Sequence, residues 1–143
     1  MLYLLLTSDT DPDIPRLMEA YQHPNVARYI HLDEVNYWHY VSTTKNVFYY
    51  KVYYNDCLVA AVHCELSKQT LYMDIMVLPQ FQSHGIGTMI LQDVLTGKVS
   101  PPFSRIEVDI DESNVASLKL FEKTGFQFVS QENELCHYVW QLS

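Results

Sequence analysis

Glycine is scarce in this chain, cysteine scarcer still, and positive charge is clearly outnumbered. Its 143 residues include four glycines, three cysteines, and nine basic against seventeen acidic residues. Cys57, Cys64 and Cys136 are too few and too scattered for a disulfide framework, and they show no metal-ligand spacing. Cys57 and Cys64 lie in an apolar strand, where a free cysteine serves as a small core residue. A net charge of −8 argues against nonspecific nucleic-acid binding. The same acidity would tolerate or attract a cationic substrate, although most acidic proteins are simply soluble. No apolar run approaches a membrane span. Residues 1–6 are apolar, but they lack the basic flank and cleavage site of a signal peptide. The expected compartment is cytoplasmic. No repeat, linker or low-complexity segment appears. The length and the 48% hydrophobic content predict one globular domain over residues 1–143.

With so few glycines, two of them within three residues stand out. Residues 72–91 read YMDIMVLPQFQSHGIGTMIL. The run up to Val77 and Leu78 predicts a strand, and Pro79, with no N–H to give a ladder, stops it. Ile86, Ile90 and Val94, with Met89 between them, recur at helical spacing and predict a helix through Leu95. Between strand and helix stands Gln82-Ser83-His84-Gly85-Ile86-Gly87. A strand, a short glycine-bearing turn and a helix N-terminus make an anion site. The first helical N–H groups have no internal partner, and the helix dipole favours negative charge there. Gly85 and Gly87 would let a phosphate approach the backbone closely. The spacing is neither the G-x-G-x-x-G of dinucleotide sites nor a P-loop, since no Gly-Lys-Ser/Thr follows. A plain strand-to-helix turn is the competing reading.

The rest of the chain supplies a consistent series of elements. Residues 2–7 read as a strand. A helix then runs to Gln22, with Ile14, Leu17, Met18 and Tyr21 on one face. Pro24 opens a second helical segment containing Val26, Tyr29 and Ile30. Asp33 is the predicted N-cap of a third segment through Val41, with Val35, Tyr37, Trp38 and Tyr40 on its apolar side. Residues 46–54 and 57–66 are strands joined by the hairpin signal Asn55-Asp56. Leu58, Ala60, Val62, Cys64 and Leu66 are expected on one face of the second strand. Ser67-Lys68-Gln69-Thr70 turns that strand into the one that leads to Pro79, making an antiparallel meander. After the helix, Gly97 is a C-cap and residues 106–110 alternate like a strand. Asn114 begins a further helix, with Val115, Leu118 and Phe121 inward and Leu120 beside them, and Gly125 ends it. Residues 126–129 and 135–142 form a last hairpin around Gln131-Glu132-Asn133. The predicted order is β-α-α-β-β-β-α-β-α-β-β. It reads as an α/β (α+β) fold with a mixed central sheet and helices on both faces.

Asn114, Ser117, Leu120, Phe121, Gly125 and Phe126 form a second pattern. Taken with Val77-Leu78-Pro79 and the turn from Gln82 to Gly87, it makes the chain similar to the GCN5-related N-acetyltransferase (GNAT) family. That family's phosphate motif is Gln/Arg-x-x-Gly-x-Gly/Ala after a strand ending Val-x-Pro. Its later signature is Asn-x-x-Ala/Ser-x-x-Leu/Phe-Tyr-x-x-x-Gly-Phe. Phe121 stands where tyrosine is usual. The two motifs span about residues 70–128, and the element order extends the likeness along the whole chain. The resemblance implies transfer of an acetyl group from acetyl-CoA, the cosubstrate, to an amine of a small molecule or peptide by direct attack. It implies that the backbone of Gln82, Ser83, His84, Gly85, Ile86 and Gly87 binds the pyrophosphate. Backbone at Met76 and Val77 would pair with the pantetheine arm and supply an oxyanion donor. Asn114 would hydrogen-bond that arm, or simply cap its own helix. Ser117 and Phe121 would face the same cleft. The early helical region would lie over the acceptor, making His23, His31, Trp38 and Tyr40 candidate contacts, with aromatic packing as the plainer reading. Members of the family often dimerise, and the tyrosine-rich strands are compatible with a homodimer.

No general base announces itself in the motifs. The register across the Ser67–Thr70 turn is more informative. It puts Leu66 opposite Leu71, and therefore His63 opposite Asp74 on one face. A histidine oriented by a carboxylate is a workable base near neutral pH. A structural cross-strand pair is the rival reading. Glu65 and Tyr72, opposite each other on that face, are weaker candidates. Where the family's usual tyrosine would donate to the departing thiolate, Phe121 has no proton to give, so the resemblance leaves that role to water or to another side chain such as Ser117 or Tyr138. The same substitution favours a second function, a module that binds acetyl-CoA and senses it without turnover.

Overall fold

Residues with positive φ make most of the turns of the sheet. Asn55 and Asp56 adopt φ of 50° and 62°, the two left-handed residues that a type I′ hairpin requires. They join strand β2 (Val47–Tyr54) to β3 (Cys57–Ser67). Lys68, at φ 57°, turns β3 into β4 (Thr70–Val77). Strand β1 (Leu2–Leu5) pairs antiparallel with β2. Strand β5 (Arg105–Asp111) follows, and then the hairpin of β6 (Gln127–Glu132) and β7 (Leu135–Gln141), closed at Asn133 with φ 56°. The seven strands form one sheet in the order β1-β2-β3-β4-β5-β7-β6. Every pair is antiparallel except β4 with β5. This is the mixed central sheet expected from the sequence.

The computed structural model describes residues 1–32 and 36–142. Helices α1 (Ile14–Gln22), α2 (Pro24–Ala27) and α3 (Tyr37–Thr43) cover one face of the sheet. There Leu17, Val26, Tyr37 and Val41 pack on Tyr49, Leu58, Ala61 and Met76. Three helical segments are legible in this region of the sequence, and the structure has three, one more than the predicted element order counts. The predicted cap Asp33 and the apolar Val35 lie outside the described residues, and α3 is entered through Asn36 at φ 65°. Lys51 is buried on β2 and holds the loop before α1 through Asp11 (2.8 Å) and Asp13 (3.0 Å).

Helices α4 (Ile86–Leu95) and α5 (Val115–Lys123) cover the other face. Ile90, Leu91 and Val94 are fully buried there. Each such side chain contributes about 1.5–3 kcal/mol of hydrophobic stabilisation. Met89 and Val115 were expected to face inward but are exposed. Leu91 takes the core position beside Ile90, and on α5 Phe121 is buried as expected.

Two bulges shift the predicted faces. Opposite β2, Val52 pairs with Ala60 and Tyr53 with Leu58, so Val59 is an extra residue. The bulge turns Leu58 to the α1–α3 side, away from Ala60, Val62 and Cys64, with which alternation had grouped it. On β6, Val129 is skipped between Phe128 and Ser130, and the strand continues to Glu132 rather than stopping at 129.

One feature of the sheet positions the site. β4 and β5 pair only through Thr70–Arg105, Leu71–Ile106 and Tyr72–Glu107. Beyond those rungs residues 73–77 of β4 and 108–111 of β5 have no ladder between them. β4 therefore presents an unpaired backbone edge to an opening in the middle of the sheet.

Candidate functional site

At the open end of β4 the chain makes a 3₁₀ turn at Pro79–Phe81 and then enters α4. The Gln82 side chain donates to the Val77 carbonyl (3.1 Å) and ties the turn to the strand end. Ser83 and Gly85 both have positive φ, 66° and 79°. Alternating left-handed residues swing successive N–H groups towards one side, which makes a concavity for anions. Among the described residues, no backbone acceptor is recorded for the N–H groups of residues 83–88. The first intrahelical bond comes from Met89 to the Gly85 carbonyl.

The two glycines of the turn have different reasons for lacking a side chain. A Cβ at Gly85 would meet nothing within 4 Å, so the space over that residue is open to a ligand. A Cβ at Gly87 would lie 3.2 Å from Leu120 Cδ2. Gly87 lets α5 pack closely against α4; phosphate access alone does not explain it.

These elements bound a cleft of about 500 Å³. Ile75, Met76 and Val77 of β4 form one wall, the 82–88 turn its end, and Asn114, Ser117 and Phe121 the opposite side. The sequence-derived cofactor-binding residues thus gather around one space, except the side chain of His84, which turns away to the Phe81 carbonyl (3.2 Å). Asn114 is the N-cap of α5, accepting from the Ser117 N–H at 3.3 Å. It also borders the cleft, so capping and a ligand contact are compatible. Phe121 is buried, edge-on to Phe126 at 4.9 Å, and presents its ring to the cleft. Tyr138 does not border the cleft. Its hydroxyl donates to Glu122 (2.7 Å), and this bond raises its phenol to about 12. As a stand-in acid it is misplaced, whereas Ser117 does border the cleft. Tyr29 borders it too, and pattern reading had only assigned it to a helix. Its usefulness depends on the chain leaving α2 towards Ser113, which no local spacing encodes.

A smaller recess of about 110 Å³ adjoins the cleft and shares Ile30 and Met76 with it. His31, Tyr37, His63 and Asp74 line this recess. The predicted register is present: His63 is the partner of Asp74, and Glu65 of Tyr72. The hydrogen bonding differs from expectation. His63 Nδ1 is 2.8 Å from the Tyr37 hydroxyl and Nε2 is 2.8 Å from Glu65 Oε2. The orienting carboxylate is Glu65 on the same strand, two residues on, rather than Asp74 across the ladder. Tyr40 donates to the other Glu65 oxygen at 2.9 Å. A continuous chain thus runs from Tyr37 in the recess through His63 to Glu65 at the surface.

Asp74 has no hydrogen-bond partner recorded among the described residues. By area it is an exposed residue, yet protein crowds it closely enough that desolvation dominates its titration. The carboxylate is open to solvent on one side, and the protein packed around its other sides disfavours its charge. Desolvation raises Asp74 above the ordinary carboxylate range; Asp109 and Glu65 add to the rise, and His63 opposes it. Of the other early residues, His23 caps α2, and Trp38 packs on Tyr37 and Tyr49 and donates to Met18 Sδ (3.0 Å). A separate hollow of about 420 Å³, bounded by Arg16, Glu19 and Gln80, borders neither Gly85 nor Asn114.

Comparison with known structures places this architecture. N-acetyltransferase PseH of Campylobacter jejuni superposes with a TM-score of 0.77 at 11% identity, covering 99% of this chain and 98% of that one. Its complex with acetyl coenzyme A superposes at 0.76, with 12% identity and 99% and 100% coverage. An acetyltransferase from Thermus thermophilus gives 0.78 at 16% identity, covering 99% and 98%. No curated protein matches in sequence. The model of the acetyltransferase (GNAT) family matches residues 14–126. The chain belongs to the GNAT acetyltransferase family.

Proposed function

We propose that the protein transfers the acetyl group of acetyl-CoA to a primary amine held in the recess beside Asp74. The observation that carries this reading is the meeting of two features: the unpartnered N–H turn at 83–88 and the unpaired edge of β4, on one cleft. The turn suits a pyrophosphate, and the strand edge suits the amide-bearing pantetheine arm, which would add to β4 as a partial strand. The open space over Gly85 fits close approach of the phosphate. Val77 has its N–H on the open edge of β4, where it could stabilise charge building on the thioester oxygen, while the Met76 N–H faces the β3 ladder.

Attack needs a neutral amine. Asp74, desolvated and unpartnered, takes the ammonium proton; the nitrogen then bonds to the carbonyl carbon, and the C–S bond breaks. Asp74, open to solvent, then passes that proton to water. His63, held by Tyr37 on one nitrogen and Glu65 on the other, faces it across the ladder and tunes its titration without a hydrogen bond to it. The departing thiolate takes a proton from Tyr29, Ser117 or water, because Phe121 has none to give.

Titration calorimetry should find binding of acetyl-CoA or CoA. A ligand at 100 times its Kd adds about 2.7 kcal/mol of stability, a rise in Tm of about 5–10 °C for a domain of this size. No binding of either at millimolar concentration would remove the reading.

Phe121 favours a second reading, in which acetyl-CoA is bound and sensed without turnover. Phe121→Tyr separates the two. In an enzyme short of an acid, the new hydroxyl should raise kcat with KM for acetyl-CoA unchanged, and Tyr29→Phe should lower kcat. Undetectable thiol release from both the wild type and Phe121→Tyr, across a panel of amines, would favour sensing.

A further inference from the structure

We propose that the acceptor is an unbranched primary amine carrying a second positive charge, its reacting ammonium in the recess at Asp74 and its cationic tail over the β5–β7 half of the sheet. This rests on the acetyl-transfer reading and adds the class of amine to it. Size comes first. The recess holds about 110 Å³ against about 500 Å³ for the cleft, so it admits the head of an amine and excludes a branched or ring-bearing one. Tyr21 and Tyr37 line it, and aromatic side chains attract ammonium groups.

Charge comes second. Asp74 is the one carboxylate lining the recess among the described residues, and no hydrogen bond engages it. The pairing of Tyr72 with Glu107 puts Glu107 on the same sheet face as Asp74, and two residues further along each strand Asp109 follows suit. Helices α1–α3 cover this face only over β1–β4; the core beneath them takes nothing from β5 or β7. The uncovered half carries Glu107 and Asp109, with His137 Nε2 2.8 Å from the first and Nδ1 2.7 Å from the second, and Arg105 Nε 2.9 Å from Glu107. Asp109 remains 59% exposed. Its charge reaches Asp74, where it is among the causes that raise the carboxyl. A path between them runs over this uncovered face, beside the splay of β4 from β5 that the pantetheine arm would fill. A positive tail leaving the recess along that path meets Asp109, which it shares with His137, while a carboxylate tail meets Asp74, Asp109 and Glu65 as like charges, offset in part by His137 and Arg105.

Three four-carbon amines of one shape test this: 1,4-diaminobutane, n-butylamine and 4-aminobutanoate. Each is assayed with acetyl-CoA for thiol release, and with the CoA complex for a rise in Tm. The expected order of kcat/KM is diamine, then butylamine, then aminobutanoate. On the order of 10–100-fold should separate the ends at low salt, shrinking as salt shortens the reach of the charges. Asp109→Asn should narrow the diamine-to-butylamine ratio, a quantity that partial misfolding does not move. Equal or better use of the anionic amine, or an unchanged ratio in Asp109→Asn, overturns the proposal. Charge-ordered stabilisation without thiol release overturns acetyl transfer but supports the charge preference. No response in either measurement from any of the three overturns the proposal.

Discussion

Asp74→Asn should lower kcat/KM by about 10²–10⁴, the usual worth of general base help, and leave acetyl-CoA affinity intact. The same variant should be more stable than the wild type at neutral pH. The reason lies in the sign of the titration. Asp74 binds its proton more tightly folded than unfolded. Its contribution to stability therefore falls as pH rises from the ordinary carboxylate range through its raised folded value. At neutral pH the ionised group is a desolvated charge without a hydrogen bond, and asparagine removes that charge at nearly constant shape. The gain in Tm should vanish as pH falls below the ordinary carboxylate range, where both forms are neutral. Activity runs the other way: the acidic limb of kcat/KM should rise through the raised pKa of Asp74, since only the carboxylate accepts a proton. His63→Gln should be milder and should shift the limb rather than abolish the rate. Loss of activity with an equal loss of stability would make Asp74 structural. An unchanged rate would remove it from the mechanism.

What the sequence disclosed here follows from the range of the interactions involved. The anion turn was legible because it is local: Pro79, Gly85 and the helical spacing of Ile86, Ile90 and Val94 all act within a few residues. The facing of His63 and Asp74 was legible too, because the parity of a short turn fixes every rung after it. The partners of His63 were not. Glu65 was in view as a neighbour, but whether a histidine turns along its own strand or across the ladder depends on what stands above it. That is Tyr37, delivered by a helix from 26 residues earlier. The face of Leu58 was misread because a bulge at Val59 breaks the alternation that pattern reading assumes. Tyr138 failed as an acid for a similar reason. Its strand is placed correctly, but alternation cannot tell which neighbour receives its hydroxyl, and that neighbour is Glu122 on α5.

The difference between the two turn glycines leads to the other large effect, at Gly85. Gly85→Asp should weaken acetyl-CoA binding by more than about 100-fold, since every 1.4 kcal/mol is a factor of ten. The backbone there is left-handed, at φ 79°, which costs an L-residue about 1–2 kcal/mol; asparagine and aspartate visit the region more readily than others. No atom lies within 4 Å of the added Cβ, so the side chain fits without moving its neighbours and the protein should fold. The new carboxylate then sits at the N-terminus of α4, where the helix dipole welcomes it. That places a fixed negative charge where the phosphates must come. Gly85→Asn isolates the charge from the bulk: it should lose much less affinity, and the gap between the two variants should close at high salt. Gly87→Ala should behave differently. Its methyl would press on Leu120 at 3.2 Å, so α5 must give way and the main effect should be a lower Tm in the absence of ligand. If Gly85→Asp bound acetyl-CoA like the wild type, the phosphates would lie elsewhere than this turn. If Asn and Asp weakened binding equally, bulk would account for the loss and charge would not.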